Sequence, residues 1–474
     1  MLPPLYPRQL TCMANKFFST VVLCLCAFVL QAQQAVVTGR STMFGNKPVA
    51  LYIIDDFITN NSVLVDSTKA SAEGSFTLKN AVKQPYYGFL KAGELVYDIH
   101  LEPGAKINVV IYDTTGSSND SLFVPIAFNQ RSSDYSNDVN VAITRFDNEY
   151  NDFLLLNYKA ILRKTAQKIT EEFIKQLQTN YAKYTNSYFK SYMAYRIATL
   201  ELTAYVKGEK TIIKQYFNNK PVLYTNDGYM DLFNQVFEGT MKDYVISSKG
   251  QSLLNAINVN ANFDKALNLL KQDSTLQNDT VRELYLIKGL GELFYRPGIV
   301  KYSILEMLKY ATEKALTPDN KLIATHLLAK LEKLRAGTPA PPFTLKNIVT
   351  GQPASLADFR GKVIYLSFWD ENNIPSVQEI DLIKELDKQF GKRIAFISIG
   401  NYEDEAKTLA LITRNKYKWV FLNSKGNKQL VDDYEVLSYP AFYLIDAAGN
   451  ILKYPADRPS GNIGATLDKI YNKK

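Results

Sequence analysis

Val363-Ile364-Tyr365-Leu366-Ser367-Phe368-Trp369 is an apolar run broken only by one serine, and its length suits a strand covered on both faces rather than a helix. Behind it, Ser376 to Phe390 sets Ile380, Ile383, Leu386 and Phe390 on one face of a helix. Ile394-Ala395-Phe396-Ile397-Ser398-Ile399 then repeats the buried-strand pattern. Strand, helix, strand in that order predicts parallel strands joined by a right-handed crossover, because a tight turn can join only antiparallel ones. A helix from Glu403 to Asn415, a strand over Lys418 to Leu422 and a short helix from Lys428 to Tyr434 follow. Strands at Ala441 to Ile445 and Ile451 to Tyr454 flank Asp446-Ala447-Ala448-Gly449-Asn450, a hairpin turn that adds an antiparallel edge. A last helix is expected over Asn462 to Tyr471. Residues 337–474 therefore read as one α/β domain.

Upstream, Ala336-Gly337-Thr338-Pro339-Ala340-Pro341-Pro342 cannot continue a helix, since proline lacks the N–H and fixes φ, and it marks a domain entry. Residues 135–335 show helical periodicity, as in Phe173, Ile174, Leu177 and Tyr181 or Ile304, Leu305, Leu308 and Ala311, and predict a central all-α domain of six to nine helices. No fixed repeat period is present. Ser117 to Asp134 is polar and reads as a linker. Residues 35–115 hold short β-branched or aromatic runs, Val36–Gly39, Val49–Ile54, Ser62–Val65, Ser75–Leu78 and Ile107–Ile111, separated by turn residues, and predict a β-sandwich-like domain.

The N-terminus has the layout of an export signal, expected over residues 1–32. Met13-Ala14-Asn15-Lys16 supplies a short positive stretch, Phe17 to Leu30 an apolar one, and Leu30-Gln31-Ala32 a small residue at the cleavage point. The apolar run is too short for a hydrocarbon core of ~30 Å, which predicts a cleaved leader and no stable membrane insertion. Cys24 and Cys26 follow Leu23 and Leu25, where lipoprotein signals carry a small residue. All three cysteines, Cys12, Cys24 and Cys26, precede the cleavage point, so the exported chain would form no disulfide. His100 and His326 stand in no metal-ligand spacing and read as packed or surface histidines; no metal and no cofactor are expected. The formal charge of +8 falls to 8 − 2 = +6 without Arg8 and Lys16, and it is interspersed along the chain, which argues against nucleic-acid binding.

Several motifs in the α/β segment carry a resemblance. Pro341-Pro342-Phe343-Thr344-Leu345, then Gly351-Gln352-Pro353-Ala354-Ser355-Leu356-Ala357-Asp358-Phe359-Arg360-Gly361-Lys362 before the strand ending in Phe368-Trp369, is similar to the TlpA/ResA branch of thioredoxin-like envelope proteins, within the AhpC/TSA and thioredoxin superfamily. Ser438-Tyr439-Pro440-Ala441-Phe442-Tyr443-Leu444-Ile445 resembles that family's cis-proline strand. The resemblance implies a thioredoxin fold for 337–474, a cis Tyr439–Pro440 bond, a periplasmic, cell-envelope or extracellular location, and thiol-disulfide oxidoreductase activity by family. Members carry Cys-x-x-Cys just after the strand, where a helix N-terminus lowers the thiol pKa. Alignment on Phe368-Trp369 and Pro375 puts Asn373 and Ser376 at those two positions.

Neither residue can form a sulfur–sulfur bond, and no histidine follows His326 to activate a serine. Asn373 reads as a helix N-cap, with Pro375 tolerated in the first turn and Glu379 complementing the positive helix end. No catalytic residue is assigned. A groove for an extended peptide, with Trp369, Asn373 and Ser376 facing Tyr439 and Pro440, needs no cysteine, because strand addition works through main-chain hydrogen bonds. The leading expectation is a redox-inactive binding or scaffold protein whose partners are extended peptides or envelope proteins. An enzyme of another class using Asp370, Glu371 and Glu379 is the alternative. A third reading puts the main interaction surface in the β-rich or helical parts.

Overall fold

In β4 (Ser75–Val82), Phe76, Leu78 and Val82 are buried and most of their neighbours face water, the two-residue alternation of a strand with one covered side. It joins β1 (Gln33–Arg40), β7 (Lys106–Ile111) and β8 (Ile126–Phe128) in a four-stranded sheet ordered β4-β1-β7-β8. A second sheet, β3-β2-β5-β6, is built from β2 (Pro48–Asp56), β3 (Asn61–Lys69), β5 (Tyr86–Ala92) and β6 (Leu95–Leu101). Val37, Leu78 and Val109 from the first sheet share one core with Leu51, Leu90 and Ile99 from the second, which gives the expected sandwich-like architecture. This computed structural model describes residues 33–93, 95–111, 126–128, 138–436 and 438–472. The expected leader, with Cys12, Cys24 and Cys26, lies outside the described residues.

Two features of this region depart from expectation. The β5–β6 hairpin lies outside the expected strands, because Gln84-Pro85 and Ala92-Gly93 frame runs in which Gly88, Lys91 and Asp98 dilute the strand signal. The expected polar linker contains β8, paired antiparallel to β7 with Ile111 opposite Ile126; hydrogen-bonding to an existing edge outweighs a weak local preference.

The chain divides into two units. One takes in the residues up to Ile54, Ser62–Glu149 and Lys183–Lys190, and the other Asp55–Asn61, Tyr150–Ala182 and Ser191 onward. In the first unit, the Asn140 side chain accepts from His100 N at 2.7 Å and donates to His100 O at 2.9 Å. The His100 ring, buried, sits 5.4 Å from that of Tyr87 and 5.6 Å from that of Tyr188.

The helical region holds eleven α-helices among the described residues. They run from α1 (Val139–Leu162) and α2 (Gln167–Asn180) to α9 (Asp279–Leu293), α10 (Lys301–Lys314) and α11 (Pro318–Lys333). The count exceeds six to nine because Glu209–Tyr216, Thr240–Ile246, Gln251–Asn258 and Phe263–Leu270 are only about two turns long, below the window in which helical periodicity can be recognised. Asn226, Asn262, Asn278 and Thr317 stop the chain between helices by accepting a backbone N–H at the next helix start. Helix α9 is covered on nearly every side, with Val281, Leu284, Tyr285, Leu286, Ile287 and Leu290 buried.

The α/β segment holds the five strands expected of it and two more, Thr344–Asn347 and Pro353–Ser355, each too short to carry a strand pattern in the sequence. Its seven-stranded sheet is ordered β10-β9-β13-β12-β11-β14-β15. The strands are β9 (Thr344–Asn347), β10 (Pro353–Ser355), β11 (Val363–Phe368), β12 (Ile394–Gly400), β13 (Val420–Asn423), β14 (Ala441–Ile445) and β15 (Ile451–Lys453). β12 runs parallel to both β11 and β13, whereas β14 is antiparallel to β11. Tyr365 points to a core packed by α12 (Ile374–Phe390) and α15 (Ile463–Tyr471), while Ile364, Leu366 and Phe368 point to a second core on the other face. Two covered faces explain why β11 is apolar throughout instead of alternating. Between them stand α13 (Glu405–Asn415) and α14 (Lys428–Asp433), near their expected places.

Candidate functional site

The site begins where β11 ends. Trp369 N donates to Ile399 O at 3.0 Å, so the ladder with β12 runs one residue past the strand. The Trp369 side chain is fully buried, its Nε1–H donates to Tyr402 Oη at 2.7 Å, and its ring lies 6.0 Å from that of Phe421. Burial pushes the Tyr402 hydroxyl well above its ordinary pKa, which keeps it neutral and able to accept this bond.

The chain then turns into α12. Asp370 Oδ1 accepts from Asn372 N at 2.8 Å, and Asn373 N donates to Asp370 O at 3.1 Å. Asn373 Oδ1 accepts from Ser376 N at 2.9 Å, which makes Asn373 the N-cap, and Pro375 occupies the first turn, where its missing donor costs nothing. The helix starts at Ile374, two residues earlier than its apolar pattern. Ser376 is fully buried, and its hydroxyl has no hydrogen-bond partner among the described residues. Ile374, next to the cap, is 72% exposed, uncommon for so large an apolar side chain.

Across from this turn lies the loop before β14. Phe368 stands opposite Ala441, and continuing that antiparallel register sets Trp369 beside Pro440 and Asp370 beside Tyr439. The Tyr439–Pro440 bond is cis. Pro440 is buried and Tyr439 half-buried; burial, and then the charge of Asp370, raise the Tyr439 hydroxyl pKa. Of the five residues expected to form a groove, Asn373 and Tyr439 reach the surface in part, while Trp369, Ser376 and Pro440 lie beneath it.

The three carboxylates weighed for acid–base work are each engaged. Asp370 caps the turn. Glu371 Oε1 accepts from Thr408 Oγ1 at 3.3 Å, while its buried Oε2 has no partner among the described residues. Glu379 lies in the second turn, past the first turn where it was expected to complement the helix end; it is buried and accepts from Ser460 N at 2.9 Å and Ser460 Oγ at 2.6 Å. That pair ties α12 to the loop before α15.

One buried carboxylate near the cis bond gave no sequence signal. Glu435 has φ 50, a left-handed conformation that costs an L residue roughly 1–2 kcal/mol. It accepts from Tyr295 Oη, in the turn just past α9, at 2.6 Å, while its backbone carbonyl accepts from Tyr454 Oη at 3.0 Å. Burial raises the Glu435 carboxyl pKa above the ordinary range. The Tyr454 ring stacks on Tyr443 at 4.6 Å and meets Tyr295 edge-on at 5.7 Å; burial pushes the Tyr454 hydroxyl up to about 12. A lone Glu after a short helix carries no pattern from which such a role can be read.

Comparison with known proteins places the match in this same segment. The AhpC/TSA family model matches residues 336–454. The chain is 30% identical over 120 residues to the thioredoxin-like protein YneN of Bacillus subtilis, covering 25% of this chain and 69% of that protein. It is 25% identical over 126 residues to the thiol-disulfide oxidoreductase ResA of Bacillus cereus, covering 26% and 72%. A solved protein from Bacteroides vulgatus shares 33% identity over 29% of this chain and 98% of its own, with a TM-score of 0.27.

Proposed function

Since the chain belongs, through residues 336–454, to the AhpC/TSA family as a TlpA/ResA-like thioredoxin-fold protein, we propose that it is a redox-inactive member that has kept the family's site for binding. The observation that carries this reading is compositional and positional together. No cysteine follows Cys26, and the start of α12, beside the cis-proline, is Asn373-Ile374-Pro375-Ser376. A thiolate is the nucleophile of disulfide exchange, and an asparagine cap with a buried serine cannot supply one. Exposed Ile374 at the start of α12 and half-buried Tyr439 before the cis-proline would offer apolar surface to an extended peptide, which would pair through its backbone with the chain at Pro440. Export to the envelope is part of the proposal and rests on the N-terminal pattern. Among the described residues no helix is long and apolar enough to cross a membrane.

Two assays test it. Insulin reduction by the full chain should match that of a Cys12→Ser, Cys24→Ser, Cys26→Ser variant, and a faster rate for the unsubstituted chain would end the redox-inactive reading. Reduced and carboxymethylated α-lactalbumin, an extended chain without free thiols, should bind, and Ile374→Asp or Tyr439→Ala should weaken it; binding untouched by both variants would move the surface elsewhere.

A further inference from the structure

Helix α1 ends in an apolar face with nothing over it among the described residues. Leu155, Leu156, Tyr158 and Leu162 are 73%, 81%, 51% and 75% exposed. At 100° per residue, 155, 158 and 162 fall on one side of the helix and 156 flanks them. The surface continues onto Ile169 of α2 and onto Tyr205, both exposed. Beneath it the two helices are locked by Phe153 and Phe173, stacked 4.1 Å apart, and by Ile161 and Ala166 packed with Ala204. A soluble surface rarely leaves so many large apolar side chains together without a use.

Charge says what covers it. From Phe153 through Thr170 the chain holds Lys159, Arg163, Lys164 and Lys168 and no acidic residue. All four are exposed, and Lys164 Nζ lies 4.3 Å from the centre of the Tyr205 ring. A second copy of the chain would bring the same positive charge to the same place, which disfavours self-pairing. A lipid surface with anionic headgroups offers the complement on both counts: phosphates for the cations and an acyl boundary for leucine and tyrosine. We propose that the α1–α2 tip, residues 153–170, docks peripherally on an anionic lipid surface, with Leu155, Tyr158 and Leu162 at the acyl boundary and the four cations over the phosphates. The contact is interfacial, not spanning, and it is independent of the cis-proline site.

Co-sedimentation of the full chain with phosphatidylcholine vesicles, with and without phosphatidylglycerol, tests this at low and high salt. Phe17 to Leu30 and the cations Arg8 and Lys16 before it are the same in every variant, so the quantity read is the change each variant makes in the difference between the two vesicle types. Phosphatidylglycerol should strengthen binding, and salt should reverse the gain. Each of Lys159→Gln and Lys168→Gln should weaken anionic binding about five-fold and the pair about twenty-five-fold, the effect of one near-surface cation each. Leu155→Ser with Leu162→Ser should weaken it too, with an unchanged circular dichroism spectrum. Equal binding to both vesicle types, or anionic binding indifferent to both double variants, overturns the proposal. So does a dimer in sedimentation velocity that Leu155→Ser with Leu162→Ser dissolves, because it assigns the face to a second copy.

Discussion

Trp369→Phe is the most informative single change, because it removes one buried donor while leaving the rest of the site in place. The Tyr402 hydroxyl would lose the indole N–H in an interior that water does not reach, at about 1–3 kcal/mol. The smaller ring would also retreat from Phe421 and leave unfilled volume, about 1 kcal/mol more. The variant should therefore lose about 2–4 kcal/mol of stability. Tyr402→Phe alone strands the indole N–H instead, again about 1–3 kcal/mol. The double variant removes both polar partners, so its cost should fall short of the sum of the single costs by about 1–2 kcal/mol. Urea unfolding of the four full-length proteins, followed by the fluorescence of Trp419, the only other tryptophan, measures this coupling. Burial holds Tyr402 neutral, so the coupling should be equal at neutral and mildly alkaline pH. Additivity to within about 0.3 kcal/mol would refute the hydrogen bond as the link between the strand end and Tyr402.

Three further outcomes are expected. Asn373→Ala should cost about 1 kcal/mol in urea unfolding and Asn373→Asp far less, because only the first removes the cap acceptor on Ser376 N. The raised Glu435 carboxyl means that the fold binds its proton more tightly than the unfolded chain does. Its contribution is full below the ordinary glutamate pKa of about 4.3 and is lost as pH rises through the folded value. Thus the stability difference between the wild type and Glu435→Gln should move in favour of the variant as pH climbs from about 4 towards neutrality; a flat difference would contradict the burial of that carboxyl. His326 Nδ1 lies 3.3 Å from Asp56 Oδ2, and that hydrogen bond raises the imidazole pKa above its usual value. Its stabilising effect is present below about pH 6.5 and fades as pH passes the folded value, so Asp56→Asn should lower the His326 midpoint in a proton NMR titration.

The parts of this molecule legible in its sequence are those where one physical demand acts alone. β11 and β12 are covered on both faces, so their composition announces them, and the Asp446 to Asn450 turn is written in its own residues: Asp446 Oδ1 accepts from Ala448 N and Asn450 N, and Gly449 takes φ 91. Asn373 is equally plain, because an asparagine before a proline-bearing helix start has one common use. Legibility fails where the partner is distant. Nothing local foretells that Glu379 meets Ser460, that Trp369 is sealed under Tyr402, or that β8 joins β7 from within a polar stretch. These features belong to the assembled fold, where burial and a vacant hydrogen-bonding edge override local preference.

The hydroxyl of Tyr295 has a consequence for any attempt to treat residues 337–474 as a portable module. That side chain comes from the helical region, yet it hydrogen-bonds the buried carboxylate of Glu435 and seats its ring against Tyr454. Cutting the chain at the proline-rich entry would strip Glu435 of its donor and uncover the tyrosine stack behind the cis bond. An excised fragment would thus carry an altered version of the very loop it was made to display, and ligand studies on it would describe a different surface from the one the intact chain presents.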